Sequence, residues 1–178
     1  MLTLNEARER DFAQIKELYE ASFPAEERKT FSHILRLRRK GVCDVLTVVS
    51  EDFSGLAIVL KHADLALLDY FAVLPGKRGQ GIGTGALSLL RKRYAAKRLF
   101  LEIESPDESA PNASQRLRRK AFYLRNGFVD SGLRVTVFGV DMDLLSDGSP
   151  LSFEDYLALY QGALGRTTAR LLRIRRRA

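Results

Sequence analysis

Val73-Leu74-Pro75-Gly76-Lys77-Arg78-Gly79-Gln80-Gly81-Ile82-Gly83 is the segment on which the reading of this chain turns. The apolar run Leu65 to Val73 reads as a strand, and Pro75 ends it by withdrawing a backbone donor. The residues from Thr84 to Arg93, with Leu87, Leu89, Leu90 and the following Tyr94 at helical spacing, predict a helix. Between the two, glycines permit unusual dihedrals and let a ligand approach bare N–H groups. Such groups at the positive end of a helix dipole suit an anion such as phosphate. Arg78 adds a cation and Thr84 a hydroxyl. Alone, the pattern fits a tight turn as well as a nucleotide loop. The Gly-Lys-Ser/Thr of NTPase phosphate loops is absent. A dinucleotide fingerprint belongs near the start of a βαβ unit, and the strands that precede this loop do not suit a doubly wound sheet.

Those strands are Val42 to Ser50, Gly55 to Lys61 and Leu65 to Val73, separated by short breaks, which predicts antiparallel neighbours. Before them come a strand from Leu2 to Arg8 and a helix capped by Asp11 that runs to about Ser22. Phe23-Pro24 stops that helix. Thr30 caps a second helix, which Arg38-Arg39-Lys40 and Gly41 end. After the loop, a strand from Leu99 to Glu104 precedes an amphipathic helix from Ser114 to Asn126, stopped by Gly127. A hairpin of Leu133 to Phe138 and Val140 to Leu145 follows, then a helix capped by Ser152. The fold class expected is α/β (α+β), with helices covering a mixed sheet and a parallel crossover between the fourth and fifth strands.

Length and composition suit one ordered domain. No secretory pattern or membrane-length apolar run is present, and the lone Cys43 reads as a buried thiol; the expectation is a cytoplasmic protein. Most of the +7 net charge comes from Arg166, Arg170, Arg173, Arg175, Arg176 and Arg177. This basic segment reads as a solvated tail, with a helix packed on the body or an electrostatic contact as alternatives. His33 and His62 lack metal-ligand spacing, and no metal is expected.

Val-x-Pro-x-x-Arg-Gly-x-Gly-Ile-Gly resembles the acetyl-coenzyme A signature of the GNAT N-acetyltransferase superfamily, with Arg78, Gly81 and Gly83 in the core positions. Phe122-Tyr123-Leu124-Arg125-Asn126-Gly127-Phe128 resembles its second landmark. Phe23-Pro24-Ala25-Glu26-Glu27-Arg28 resembles a Phe-Pro-x-x-Glu-Arg element of a bacterial group within it. The resemblance covers Leu2 to about Leu145. It implies a GNAT fold with a central sheet of about six to seven strands, strands 4 and 5 parallel and splayed. Residues 1–145 would form the acetyltransferase domain, and 146–178 a C-terminal helix and arginine-rich tail.

The same resemblance implies roles. The backbone of Phe71, Ala72 and Val73 would pair with pantetheine, and one of these amides, that of Val73, would meet the developing oxyanion. Arg78, Gly79, Gln80, Gly81, Ile82, Gly83 and Thr84 would hold the pyrophosphate. Tyr123 takes the position of the general acid, with a core aromatic as the alternative: a phenol of pKa ~10 can protonate a thiolate whose acid has pKa ~8.5. Strand alternation puts Phe100, Glu102 and Glu104 on one face. Either acid can take the amine's proton, with Glu102 preferred; the alternative, that both bind a cationic substrate or pair with arginine, stays open. Glu27 and Arg28 are candidates for acceptor contact, with an exposed ion pair or a helix start as the alternative. Where many family members place an asparagine seven residues before the tyrosine, this chain has Arg116.

The expected activity is transfer of the acetyl group of the cosubstrate acetyl-CoA to a primary amine of a small molecule. Alternatives are a protein or peptide acceptor, or a non-catalytic acyl-CoA-binding module whose tail contacts nucleic acid, although nucleic acid is not the partner preferred. A homodimer formed through the C-terminal extension is compatible with the sequence.

Overall fold

The computed structural model describes residues 1–177; Ala178, the end of the expected tail, lies outside them. Its eight strands follow the order β1-β2-β3-β4-β5-β7-β6-β8, where six to seven were expected. The additional strand comes from the arginine segment itself: β8 (Arg175–Arg176) pairs antiparallel with β6 (Val129–Val137). Two arginines at a sheet edge add a ladder without presenting an apolar edge. The chain divides into two compact units, Met1–Lys61 with Leu68–Arg93, and His62–Leu67 with Tyr94–Ala178.

In the first unit, β1 (Leu2–Glu6), β2 (Cys43–Ser50) and β3 (Asp52–His62) pair antiparallel in sequence order, with a register shift at Val48/Val49. The last part of β4 (Leu65–Val73) completes this unit. β3 is longer than Gly55 to Lys61, because the turn at Glu51, with φ 70°, is tight enough for pairing to start at Asp52. Helices α1 (Phe12–Ser22), α2 (Phe31–Arg39) and α3 (Ile82–Arg93) bury one face each, through Ile15 and Leu18, Ile34 and Leu37, and Ala86, Leu87 and Leu90. Gly85 lets α3 sit on β1, since a Cβ there would collide with the Leu2 side chain. Thr30 caps α2 as expected, accepting from the His33 amide at 3.3 Å. Asp11 does not cap α1. Its carboxylate accepts from the Arg8 amide at 2.7 Å and closes a 3-10 turn at Glu9–Asp11 instead. Cys43 is buried, and burial pushes its thiol up to about 12, which makes it inert.

In the second unit, β5 (Arg98–Glu104) pairs antiparallel with β7 (Val140–Ser146), and β7 with β6. β4 begins here. The Arg98 amide donates to the Asp64 carbonyl at 2.7 Å at the entrance to both strands, so β4 and β5 leave from one end and run parallel. After Leu67, β4 continues in the other unit. Helix α4 (Ala113–Arg125) packs on β5 and β6, and the hairpin is longer than expected, with β6 reaching back to Val129 around Gly132 at φ 76°. Helix α5 (Phe153–Leu164) opens on a capping box: Ser152 Oγ accepts from the Asp155 amide, and Asp155 accepts from the Ser152 amide, both at 3.0 Å. The arginine segment is not a solvated appendage. Gly165 turns it into α6 (Arg166–Leu171), which buries Ala169, and Leu172 is buried just beyond it. The Phe138 amide donates to the Leu172 carbonyl at 3.0 Å, and Arg177 pairs with Asp141 at 3.2 Å. Among the described residues no helix is long and apolar enough to cross a membrane.

Candidate active site

In the first unit, the glycine loop follows β4 directly. Phe71 and Val73 pack against Val48, Ile82 and Ala86, so the end of β4 and the start of α3 share one core. The Leu74 amide donates to the Ser54 carbonyl at 2.9 Å. Gly55 backs onto the Ala72 carbonyl oxygen so closely that a Cβ would collide with it. Alternation then directs the backbone polar groups of Ala72 at β3 and those of Phe71 and Val73 away from it. Arg78 Nε donates to the Val73 carbonyl at 3.1 Å, and Gln80 Nε2 to the Gly76 carbonyl at 3.2 Å, which folds the loop on itself.

Gly79 and Gly81 hold φ of 76° and 77°, with nothing within 4 Å of where a Cβ would stand. Their requirement for glycine is therefore conformational, not one of packing. The helix begins at Ile82, two residues earlier than the periodicity predicted, because Gly83 and Gly85 continue helical geometry. Its first intrahelical bond runs from the Gly85 amide to the Gly81 carbonyl at 2.9 Å. The amides of Ile82, Gly83 and Thr84 precede that bond and form the open donor end of the helix. With Arg78, Gly79, Gln80 and Gly81 exposed, this is a surface built to receive an anion. It fits a pyrophosphate by donor direction and by charge.

Phe23 to Arg28 forms an aromatic clamp in the same unit. Phe23 and Tyr19 meet Tyr70 of β4 edge-on, with centroids 5.0 and 4.8 Å apart. The Tyr70 hydroxyl donates to the Glu27 carbonyl at 3.0 Å and accepts from the Lys29 amide at 3.2 Å. Arg28 lies over the Tyr19 ring at 6.0 Å and 3.9 Å from Glu20, and its buried Nε has no partner. It lines a recess of about 490 Å³ with Lys16, Glu20, Thr30 and Ser32. Glu27 is exposed.

In the second unit, β5 carries both acids on one face with Phe100, as alternation predicted, although both faces of the strand are covered: Leu99, Leu101 and Ile103 are buried too. Their surroundings differ. Glu104 is locked in charge, with Arg116 Nη2 at 2.7 Å, Arg119 Nη1 at 3.4 Å and Asn112 Nδ2 at 3.3 Å. Glu102 is held by neutral donors: the Tyr156 and Tyr160 hydroxyls both donate to Oε1, at 2.7 and 2.6 Å. Arg116 spends its other donors on Asn112 Oδ1 at 2.7 Å and the Ser105 carbonyl at 3.0 Å.

Tyr123 stands on α4 between Phe122 and Phe128, with ring centroids at 5.3 and 5.9 Å. Burial pushes its phenol up to about 12, and the charge of Arg119, one turn before it, works against that rise. Arg119 thus bears on both groups: it pairs with Glu104, and its charge acts on the Tyr123 phenol. Beneath α4, buried Asp143 takes Lys120 at 2.7 Å, Arg134 at 2.9 Å and the Ser105 hydroxyl at 2.6 Å, fixing the helix to the hairpin.

Sequence reasoning missed Tyr156 and Tyr160. Their signal was present: two phenols four apart on the Leu159/Ala163 face of a capped helix, at a position that predicts burial with a polar partner.

The sequence profile of the Acetyltransferase (GNAT) family matches residues 12–128. Among curated proteins, none matches the sequence. A GNAT-family protein from Bacteroides thetaiotaomicron superposes with a TM-score of 0.72 at 22% identity, covering 92% of this chain and 98% of that one. The ribosomal-protein-S18-alanine N-acetyltransferase of Escherichia coli gives 0.63 at 17% identity, with 87% and 98% covered. A variant of the spermidine N-acetyltransferase of Vibrio cholerae gives 0.61 at 17% identity, with 82% and 92% covered. At these identities the likeness speaks for the fold.

Proposed function

The chain belongs to the acetyltransferase (GNAT) family, and from that premise we propose that it moves the acetyl group of acetyl-CoA directly onto a primary amine of a small molecule. The observation that carries the donor half is the loop: two glycines at positive φ deliver the chain to the open amides of Ile82, Gly83 and Thr84. These amides with Arg78 would hold the pyrophosphate. Phe71 and Val73, whose backbone groups point away from β3, would hold the pantetheine arm.

The chemistry asks four things of this chain. The Val73 amide stabilises negative charge developing on the thioester oxygen. Glu102 takes the proton that the amine loses as the N–C bond forms. An amine of pKa ~10.4 is mostly protonated near neutrality, so the base acts on a minor neutral fraction or delivers it by deprotonating the bound ammonium. Tyr123 gives its proton to the sulfur as the C–S bond breaks. Its raised pKa keeps that proton in place across the working range. Glu104, already paired with two arginines, shapes α4 rather than exchanging protons. Glu27 and Arg28 are assigned to the acceptor side, where the recess beside Arg28 supports a contact with the substrate.

The test is release of free thiol from acetyl-CoA by the purified chain. The acceptor panel holds spermidine, other mono- and polyamines, amino acids and a peptide with an N-terminal alanine. Turnover of a small amine in preference to the peptide is the result expected. Preference for the peptide would move the assignment to a protein acceptor. Acetyl-CoA binding without turnover of any amine would remove the enzymatic reading of the acceptor side.

A further inference from the structure

Glu102 lies half-buried in the middle of β5, and α5 lies over it. The two phenols that reach it are one helical turn apart, so they converge from one face. The two residues are 0% and 3% exposed, and their rings meet edge-on at 5.2 Å. The Tyr156 ring also packs on Phe100, the residue beside Glu102 on the same face of β5, at 6.2 Å. The helix that carries them is fixed at both ends. At its start, Asp155 receives Arg98 at 2.7 and 3.0 Å. Near its end, Gly162 presses against His62, whose ring would collide with a Cβ there. These hydroxyls are therefore held on the carboxylate by packing from all sides.

Distances of 2.6 and 2.7 Å belong to O–H donors on a charged acceptor. A phenol of pKa ~10 keeps its proton at neutral pH, so it donates to the carboxylate and favours the charged form. Two such donors on one oxygen also fix the side-chain rotamer. Glu104, next along the face, is paired with Arg116 and Arg119 of α4, and Asp155 of α5 with Arg98. β7 places apolar Leu144 opposite Glu102, and the neighbouring Asp143 is paired with Lys120 and Arg134.

We propose that Tyr156 and Tyr160 are positioning residues for the reaction: by donating together to Oε1 they hold Glu102 ionised and oriented to take the proton of the acceptor amine. This assigns a part in the chemistry to a helix outside the segment that the family profile matches. It rests on the reading of Glu102 as the base.

Tyr156→Phe, Tyr160→Phe and the double variant keep the rings and remove only the hydroxyls. The Glu102 side-chain carboxyl is followed by ¹³C NMR titration, assigned by its loss in Glu102→Gln. In parallel, kcat/KM is measured against pH with spermidine or the alanine peptide, whichever turns over, and thermal unfolding confirms that each variant is folded. The expected result is a rise of the Glu102 titration midpoint by about one pH unit in the double variant. The acid limb of kcat/KM should move with it, which is about a tenfold loss at pH values below both midpoints and little loss at the upper plateau. A Glu102 midpoint unchanged by loss of both hydroxyls overturns the proposal. So does a raised midpoint with an unmoved acid limb, which would leave the tyrosines as partners of a structural acid. Absence of turnover on either amine would overturn the base reading beneath it, and the NMR arm would show whether the tyrosines' hold on Glu102 is nonetheless real.

Discussion

Arg116 Nη2 stands 2.7 Å from Glu104 Oε1, with both side chains largely withdrawn from water. The residue that departs from the family asparagine is thus occupied by an acid of the neighbouring strand, and the two acids of β5 have different partners. Glu104→Gln leaves Arg116 and Arg119 without their counter-charge and should cost about 3 kcal/mol of stability, read by urea denaturation. The pH profile of turnover should keep its acid limb. Glu102→Gln should lower kcat by about 10²- to 10³-fold with a smaller change in stability. The reverse pattern would exchange the two roles.

Tyr123→Phe should reduce kcat by about 10²-fold or more while acetyl-CoA affinity, measured by calorimetry, stays within about twofold. Because the phenol is raised to about 12, no basic limb from Tyr123 should appear in the rate below pH ~10. Above the unfolded value of ~10 the unfolded chain loses this proton before the folded one does, so Tyr123 makes stability fall as pH rises past 10. In Tyr123→Phe that part of the decline should vanish. Persistence of full turnover would remove Tyr123 as the acid.

Gly81→Ala puts a side chain at φ 77°, where there is space but strain. It should destabilise the chain by about 1 kcal/mol and weaken acetyl-CoA about tenfold, through misdirection of the Ile82 and Gly83 amides. Gly76→Ala, in open space at an ordinary φ, is the matched control and should change neither. Equal affinity in both variants would detach the loop from the pyrophosphate.

Asp155 is held well below the usual carboxylate range by the Arg98 guanidinium first, and then by the Ser152 amide. A lowered folded pKa means that the group adds stability above its unfolded value of ~3.9 and loses it as pH falls toward the folded one. Asp155→Asn should cost about 1–2 kcal/mol at pH 7. Thermal unfolding across pH should show the gap from the parent chain closing below about pH 4. A gap independent of pH would mean that the carboxylate charge is not what anchors α5.

Most of the fold was legible because local signals agreed with tertiary needs. Thr30 and Ser152 cap where their sequences say they should, Gly41 and Gly127 end helices at positive φ, and β2 to β4 follow from short breaks between apolar runs. Asp11 misled because its carboxylate had a nearer amide to serve. The arginine segment misled because charge hides a ladder: β8 forms through backbone groups, and Ala169 and Leu172 supply burial too sparse to show as a period. Of the candidate site, the loop was legible as contiguous chain. The division between Glu102 and Glu104 was not, since it depends on Tyr156 and Arg116, residues 54 and 12 positions away that only the fold brings close.

The hold of α5 on β5 also bears on how such a chain can be cut and exchanged. A border drawn where family likeness stops, at residue 128, would discard the hairpin strand that pairs with β5, the acid that anchors its first residue and the two phenols over its centre. A fragment ending there is not a smaller version of the enzyme but an unfinished one. Grafting an alternative C-terminal segment onto this body would have to bring its own donors for Glu102 and its own acid for Arg98.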